Sequence, residues 1–437
     1  MVGHPVDTGR LGPAHDSSDA WSALIVLTAI YSLNIADRFI VSTLMESIKA
    51  EFQLSDSMVG FLTGTVLALF FVLTTYPIGV LTDRFNRKSL IAAFASLFSV
   101  MTVACGLAVG TVMFAAARIG VGVAEAGTSP PSLSLLADKF SPSRRAMAMT
   151  TFTVGAALGG AAGSGIGGWL SASFGWRMAL IVFGVAGFPL LLLLFLLVRE
   201  PKRGALDPVS RQDTPSVSET LAFIWHQKSL VHVMIGGTVV SLWGWGLMWW
   251  APAFFHRSFG MSVSDVGETL GWIHLIGGTG AILITAFVMR LLASADARVS
   301  LALIAAIVAL ATIPSIVAVT TGDRTLSIAM TWLYIPVVYL YFGPNFALIN
   351  NLVPAQMRGQ AIAIYLLATN FANLAVAPQI VGFVSDIFGA QGYSEAASLR
   401  LALIGLSVTG FWGALHFFLA LPRLRRDLDH AQYAPAA

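Results

Sequence analysis

A chain of 437 residues that is 56% hydrophobic and 11% charged, with mean hydropathy +0.78, is not a soluble enzyme, because soluble domains carry about 25% charged residues. The net charge of +3 and pI near 9.1 do not point to nucleic acid, since the basic residues are scattered through short loops, as membrane topology requires. The only cysteine, Cys105, lies in an apolar segment, which excludes an intrachain disulfide.

The first twenty residues are polar and lack the apolar stretch of a cleavable signal peptide, so the first apolar segment is expected to direct insertion. Twelve segments then approach the roughly 20 apolar residues that cross a bilayer as a helix. They cover 20–45, 57–82, 88–109, 112–137, 143–170 and 176–198, then 229–256, 263–289, 299–320, 325–350, 355–385 and 397–421. The predicted fold is an all-α polytopic membrane protein, with twelve transmembrane helices in two pseudo-symmetric six-helix bundles. The bundles occupy 20–198 and 229–421 and are joined by a polar linker, 199–228. Tails at 1–19 and 422–437 flank them.

Orientation follows from Lys and Arg. With both termini cytoplasmic, 18 of the 25 fall inside, among them Arg84, Arg87, Lys88, Arg145 and Arg358. Only Lys49, Arg177, Arg257, Arg324 and Arg400 fall outside. That imbalance predicts both ends in the cytoplasm.

The first segment contains N-I-A-D-R-F, Asn34 to Phe39. Asp37 and Arg38 are its only charged residues from Trp21 to Met45. A charge at mid-membrane costs roughly 2.5–3.5 kcal/mol on insertion scales, so this pair needs partners and a reason. The fourth segment reads R-I-G-V-G-V-A-E-A, with Arg118 and Glu125 seven residues apart. That spacing puts both on one helix face, about 10 Å apart. The four charges sum to zero and are expected to neutralise one another inside the bundle. Intramembrane charges mark an ion or substrate path by default, and a purely structural ion-pair network is the alternative.

Adding 213 carries Asp83 to Asp296, Pro131 to Pro344 and Arg145 to Arg358. Such a parallel repeat suggests a transporter with its site between the halves. In this register Arg118 falls on Thr331 and Glu125 on Val338, so the charges belong to the first half alone. The second half answers with Trp243, Trp245, Trp249, Trp250, Tyr339, Tyr341 and Tyr365. Most of these read as interfacial belt and core, and His232, His274 and His416 read as packing residues.

Between the second and third segments lies G-V-L-T-D-R-F-N-R-K, Gly79 to Lys88. It resembles the signature loop of the major facilitator superfamily, G-x-x-x-D-R-x-G-R-K, with Asn86 at the second glycine. The resemblance implies a cytoplasmic gate built from Gly79, Asp83, Arg84, Arg87 and Lys88, with Arg145 and Arg358 beside it. Asp83 would latch the halves when the cavity opens outward. The second copy keeps Asp296 but has Leu292 and Ala297 for the glycine and arginine, so a symmetrical latch is not expected. Gly155, Gly159, Gly163 and Gly167 form a small-residue face suited to close packing.

A-D-R-F, R-x-G-x-G-x-A-E-A and L-V-P-A-Q-M-R-G-Q-A together are similar to the spinster branch of that superfamily. Its animal members move sphingosine-1-phosphate or lysophospholipids, and bacterial ones are thought to be proton-coupled. The resemblance implies a bacterial inner-membrane transporter with Asp37 and Glu125 as proton carriers. Arg38 and Arg118 would bind an anionic head group, with Asn34, Tyr31 and Tyr365 lining the site. The cargo it implies is a small amphiphilic or anionic molecule, moved by alternating access with protons as the coupled partner. The alternatives are a proton symporter of a small organic anion, and a scramblase or non-transporting receptor. No nucleophile–base or metal-ligand grouping is seen, no cofactor is expected, and a monomer in the lipid bilayer is.

Overall fold

A backbone immersed in hydrocarbon has to satisfy its own amides, and a helix does so within one segment. The computed structural model describes residues 18–203, 215–292 and 296–433, and among them every regular element is helical. The side chains of Asp83, Pro142, Gln432 and Tyr433 lie outside the description. So do the expected N-terminal tail to residue 17, the linker stretch 204–214 and residues 434–437.

Among the described residues, eleven helices are long and apolar enough to cross a membrane. They are α1 (Ser18–Phe52), α2 (Asp56–Thr82), α3 (Arg87–Gly106), α5 (Ser143–Phe174), α6 (Trp176–Leu197) and α7 (Lys228–Phe259), then α8 (Val263–Leu291), α9 (Ala297–Thr320), α10 (Arg324–Asn351), α11 (Ala355–Ala390) and α12 (Glu395–Ala431). The twelfth, α4, comes in two pieces, Thr111–Ala126 and Ser129–Lys139. One helix is expected over 112–137, but Pro130 and Pro131 have no N–H for the preceding turn. Thr128 bridges the break by donating its hydroxyl to the Glu125 carbonyl at 3.0 Å. At its other end α1 runs seven residues past the expected limit, to Phe52.

The repeat is visible in helix irregularities as well as in sequence. α2, α5, α8 and α11 each contain a π-turn, at Phe61–Thr65, Ala162–Ile166, Ile273–Gly278 and Phe371–Val376. Adding 213 to 61–65 gives 274–278, inside the π-turn of α8. Such turns are rare and gather at functional sites.

The six helices α1–α6 meet α7–α12 along a seam that is tightest at the end away from the chain termini. Glycines make that closeness possible. A Cβ on Gly60 would lie 2.4 Å from the Pro378 carbonyl oxygen, and one on Gly64 2.3 Å from that of Leu374. Charges close the same end. Arg257 of α7 donates to Glu46 and Asp56, each at 2.7 Å. Asp386 of α11 accepts the backbone N–H groups of Asp56 and Ser57 at 2.9 Å, capping the start of α2 from the other half. Nearer the termini, a Cβ on Gly79 would meet nothing within 4 Å, and Tyr76 is 81% exposed.

The linker also holds a short helix, Val217–His226, opened by a capping box. Glu219 Oε2 accepts the Ser216 N–H at 2.7 Å, and the Ser216 hydroxyl accepts the Glu219 N–H at 3.3 Å. The S-x-x-E spacing that announces it is readable in the sequence.

Gly64→Ala should spread the seam, because a backbone carbonyl cannot move aside as a side chain can. We expect a loss of about 1–3 kcal/mol. Thermal unfolding, with labelling of a cysteine placed at Thr63 in a Cys105→Ala background, measures both effects; unchanged stability and labelling would contradict this account.

Candidate functional site

Adjacent residues on a helix point about 100° apart, so Asp37 and Arg38 cannot serve each other and turn to α4 instead. The pairing is crossed. Arg118 Nη1 donates to Asp37 Oδ2 at 2.5 Å, while Arg38 Nε donates to Glu125 Oε2 at 2.8 Å and Arg38 Nη2 to the same oxygen. The second Asp37 oxygen accepts from Thr102 of α3 at 2.9 Å. Asn34 Oδ1 accepts the Thr128 hydroxyl at 2.6 Å, tying α1 to the break in α4.

The two pairs differ in access. The Asp37 and Arg118 side chains are 1% and 0% exposed, whereas Arg38 is 15% exposed beside a buried Glu125. Glu125 Oε1 and Asn34 Nδ2 find no hydrogen-bond partner among the described residues. One pair is thus sealed, with both Asp37 oxygens engaged, although Arg118 Nε and Nη2 find no acceptor among the described residues. The other keeps an open acceptor and a reachable cation.

Tyr31 lies on the same helix and stacks on Phe152 of α5, with ring centroids 4.6 Å apart. Across the seam, Phe39 packs against Trp249 at 4.9 Å and His274 at 4.5 Å. Tyr339 and His274 share a hydrogen bond of 3.1 Å behind them. A cleft between α1, α2, α7 and α11 reaches Arg38, lined also by Ser42, Thr63, Leu67, Trp249 and Pro378. It has room for about one water in this conformation.

Asp37, Arg38, Arg118, Glu125, Asn34 and Tyr31 therefore gather in one region, and two expected binding residues are buried against partners of their own half in this conformation. Arg118 is enclosed by the bundle with Nη1 on Asp37, and its Nε and Nη2 find no acceptor among the described residues. Tyr365 is buried in the second half, where Asn345 Nδ2 donates to its hydroxyl at 2.7 Å. Gly237 makes room for it, since a Cβ there would lie 2.3 Å from the Tyr365 hydroxyl.

The expected gate residues divide likewise. Arg87 is buried within the first half, donating to Asp138, Ser134, Glu200 and the Pro201 carbonyl. Lys88 Nζ donates to the Phe195 carbonyl at 3.0 Å. Both clamp α3 to the ends of α4 and α6 rather than to the other half, as a guanidinium with four acceptors around it must. Arg84 is exposed after α2, Arg145 is half-buried at the start of α5, and Arg358 donates to the Asn350 carbonyl at 3.0 Å. The Asp83 side chain lies outside the described residues.

Thr102, Thr128, Ser42 and Thr63 are the site residues that sequence reasoning missed. A lone hydroxyl in an apolar run also bonds its own helix, so it gives no signal. Among the described residues no group of three or more His, Cys, Asp or Glu side chains is placed to hold a metal.

The family model of the Major Facilitator Superfamily matches residues 27–377. A protein described as an MFS-type efflux pump, from Mycolicibacterium smegmatis, is 30% identical, with 95% of each chain covered. Protein spinster homolog 1 from Homo sapiens is 28% identical over 94% of this chain and 83% of its own. Among solved structures, a bacterial homologue of the human lysosomal transporter Spinster, inward-facing and unoccupied, superposes with a TM-score of 0.82. It is 24% identical, covering 94% of this chain and 99% of its own, and shows the fold.

Removing one partner of a truly buried pair costs about 3–5 kcal/mol, while an accessible survivor can be rehydrated. Arg118→Ala should therefore destabilise more than Arg38→Ala, and Asp37→Asn added to Arg118→Ala should recover part of the loss. Unfolding midpoints in one detergent compare the variants; equal losses at Arg38 and Arg118 would refute the distinction.

Proposed function

The chain belongs to the major facilitator superfamily and is a transporter, and from that premise we propose that it couples protons to an anionic amphiphile by alternating access. The cargo is of the lysophospholipid or sphingolipid type. The halves that rock are 20–198 and 229–421, both termini face the cytoplasm of a bacterial inner membrane, and the unit is a monomer. On this reading the sealed end is periplasmic, and the conformation is open to the cytoplasm.

One observation carries the proposal: Arg38 is shared between Glu125 and the interdomain cleft. While Glu125 is ionised it holds Arg38. Protonation removes that carboxylate charge and leaves the guanidinium for an anion. The proton and the anion then favour each other's binding, because either one alone leaves an uncompensated charge in a low-dielectric site. Asp37 and Arg118, paired and enclosed, hold α1 against α4 while this exchange occurs. Asp37 as a second proton carrier remains part of the proposal, with Arg118 as its counter-charge. The motif resemblance to the spinster branch supports a lipid cargo, and the cleft walls of Leu67, Leu374 and Pro378 suit an acyl chain.

Anionic lysolipid should bind more tightly as pH falls, and Glu125→Gln should abolish that dependence. In liposomes, Glu125→Gln should lose transport driven by a pH gradient yet still exchange labelled for unlabelled substrate; Asp37→Asn is measured beside it. If driven transport and exchange fall together in both variants, the carboxylates are structural. Saturable, gradient-driven uptake of small organic acids without lysolipid binding would favour the smaller cargo.

Asp83 retains the latch role that its motif implies. Asp83→Asn should slow turnover and raise the accessibility of cysteines around the cytoplasmic mouth. Unchanged transport and accessibility would remove the latch.

A further inference from the structure

The four tryptophans of the α7 cluster separate by what their indole N–H groups do. Trp243 Nε1 donates to the Ser315 hydroxyl at 3.1 Å and Trp250 Nε1 to the Pro378 carbonyl at 3.3 Å, both inside the second half. Trp245 Nε1 and Trp249 Nε1 are buried and find no acceptor among the described residues. These two are four residues apart, hence on one helix face, and both pack on Phe39 of α1. A buried donor left unmade is unfavourable, so such a group in a native protein calls for an occupant.

Only Trp249 also lines the cleft that reaches Arg38. The other donors there are already engaged: the Ser42 hydroxyl donates to the Trp249 carbonyl at 2.5 Å and the Thr63 hydroxyl to the Val59 carbonyl at 2.8 Å. What the cleft offers an incoming group is one guanidinium from the first half and one indole N–H from the second, above apolar walls. That combination matches an anionic head group carrying a hydrocarbon chain.

We propose that Trp249 is a specificity-determining contact for the anionic head group, donating from α7 while Arg38 binds from α1. The inference rests on the anionic-amphiphile reading above and adds the second half's contribution to it. The bound anion would bridge the two halves. Because the cleft now has room for only about one water, the head group occupies it when the periplasmic seam has moved apart. Binding at this point would then report on the relative position of α1 and α7, which no contact confined to the first half can do.

The test replaces Trp249 by β-(3-benzothienyl)alanine, which keeps the ring shape and its contact with Phe39 and removes only the N–H. Trp249→Phe serves as an encoded second variant. Binding of a phosphomonoester lysolipid and of zwitterionic lysophosphatidylcholine is measured on monodisperse protein in nanodiscs. We expect the anionic lysolipid to weaken about tenfold, the size of one hydrogen bond to a charged group, with the zwitterionic one unchanged. Anionic affinity retained by the benzothienyl variant would overturn the assignment of Trp249 and leave the cargo reading standing. Wild-type protein that binds neither lysolipid would overturn both.

Discussion

Four charges in a low-dielectric interior have to neutralise one another, and the way they do so organises the first half of the molecule. Asp37 and Arg38 are adjacent and diverge, so each requires its own partner on α4. The seven-residue spacing of Arg118 and Glu125 supplies two, about two turns apart on one face. Arginine is the long member of each pair, which lets the ions meet although the helices set their backbones at different depths. Replacing such pairs with apolar residues is often neutral or stabilising in other proteins. The proposed exchange of partners at Arg38 gives such charges a use beyond stability.

The break in α4 belongs to the same arrangement. Pro130 and Pro131 end the first piece just past Glu125, and Thr128 ties the freed Glu125 carbonyl and Asn34 to one hydroxyl. The carboxylate thus sits at a helix end rather than in the middle of a rigid rod. A reachable arginine on one side and an unsatisfied oxygen on the other distinguish it from the saturated Asp37.

The halves share a repeat but divide the chemistry. The first carries the charges, and the second faces them with aromatic rings and two unengaged indole donors. The seam depends on glycines that bring α2 and α11 into backbone contact, and on Arg257 and Asp386, which reach across it. Arg87, by contrast, binds α3, α4 and the start of the linker into one body. Stiff halves joined by a separable seam are what rocking movement requires.

Much of this is legible in the sequence. Hydropathy along the chain determines which segments cross the membrane, and the cost of an isolated charge marks Asp37, Arg38, Arg118 and Glu125 as a group. The prolines of α4 are visible too, although a span counted by hydropathy passes over them. What the tertiary structure alone decided is partnership. Whether Arg118 meets Asp37 or faces a cavity depends on how α1 and α4 are rotated and how deep each lies, and neither follows from local sequence. The same holds for Tyr365, which sequence places among aromatics and the fold places against Gly237, and for Trp249, one of four tryptophans that composition cannot tell apart. Local physics acts through neighbours a few residues away; the site's two ion pairs join residues 81 and 87 apart.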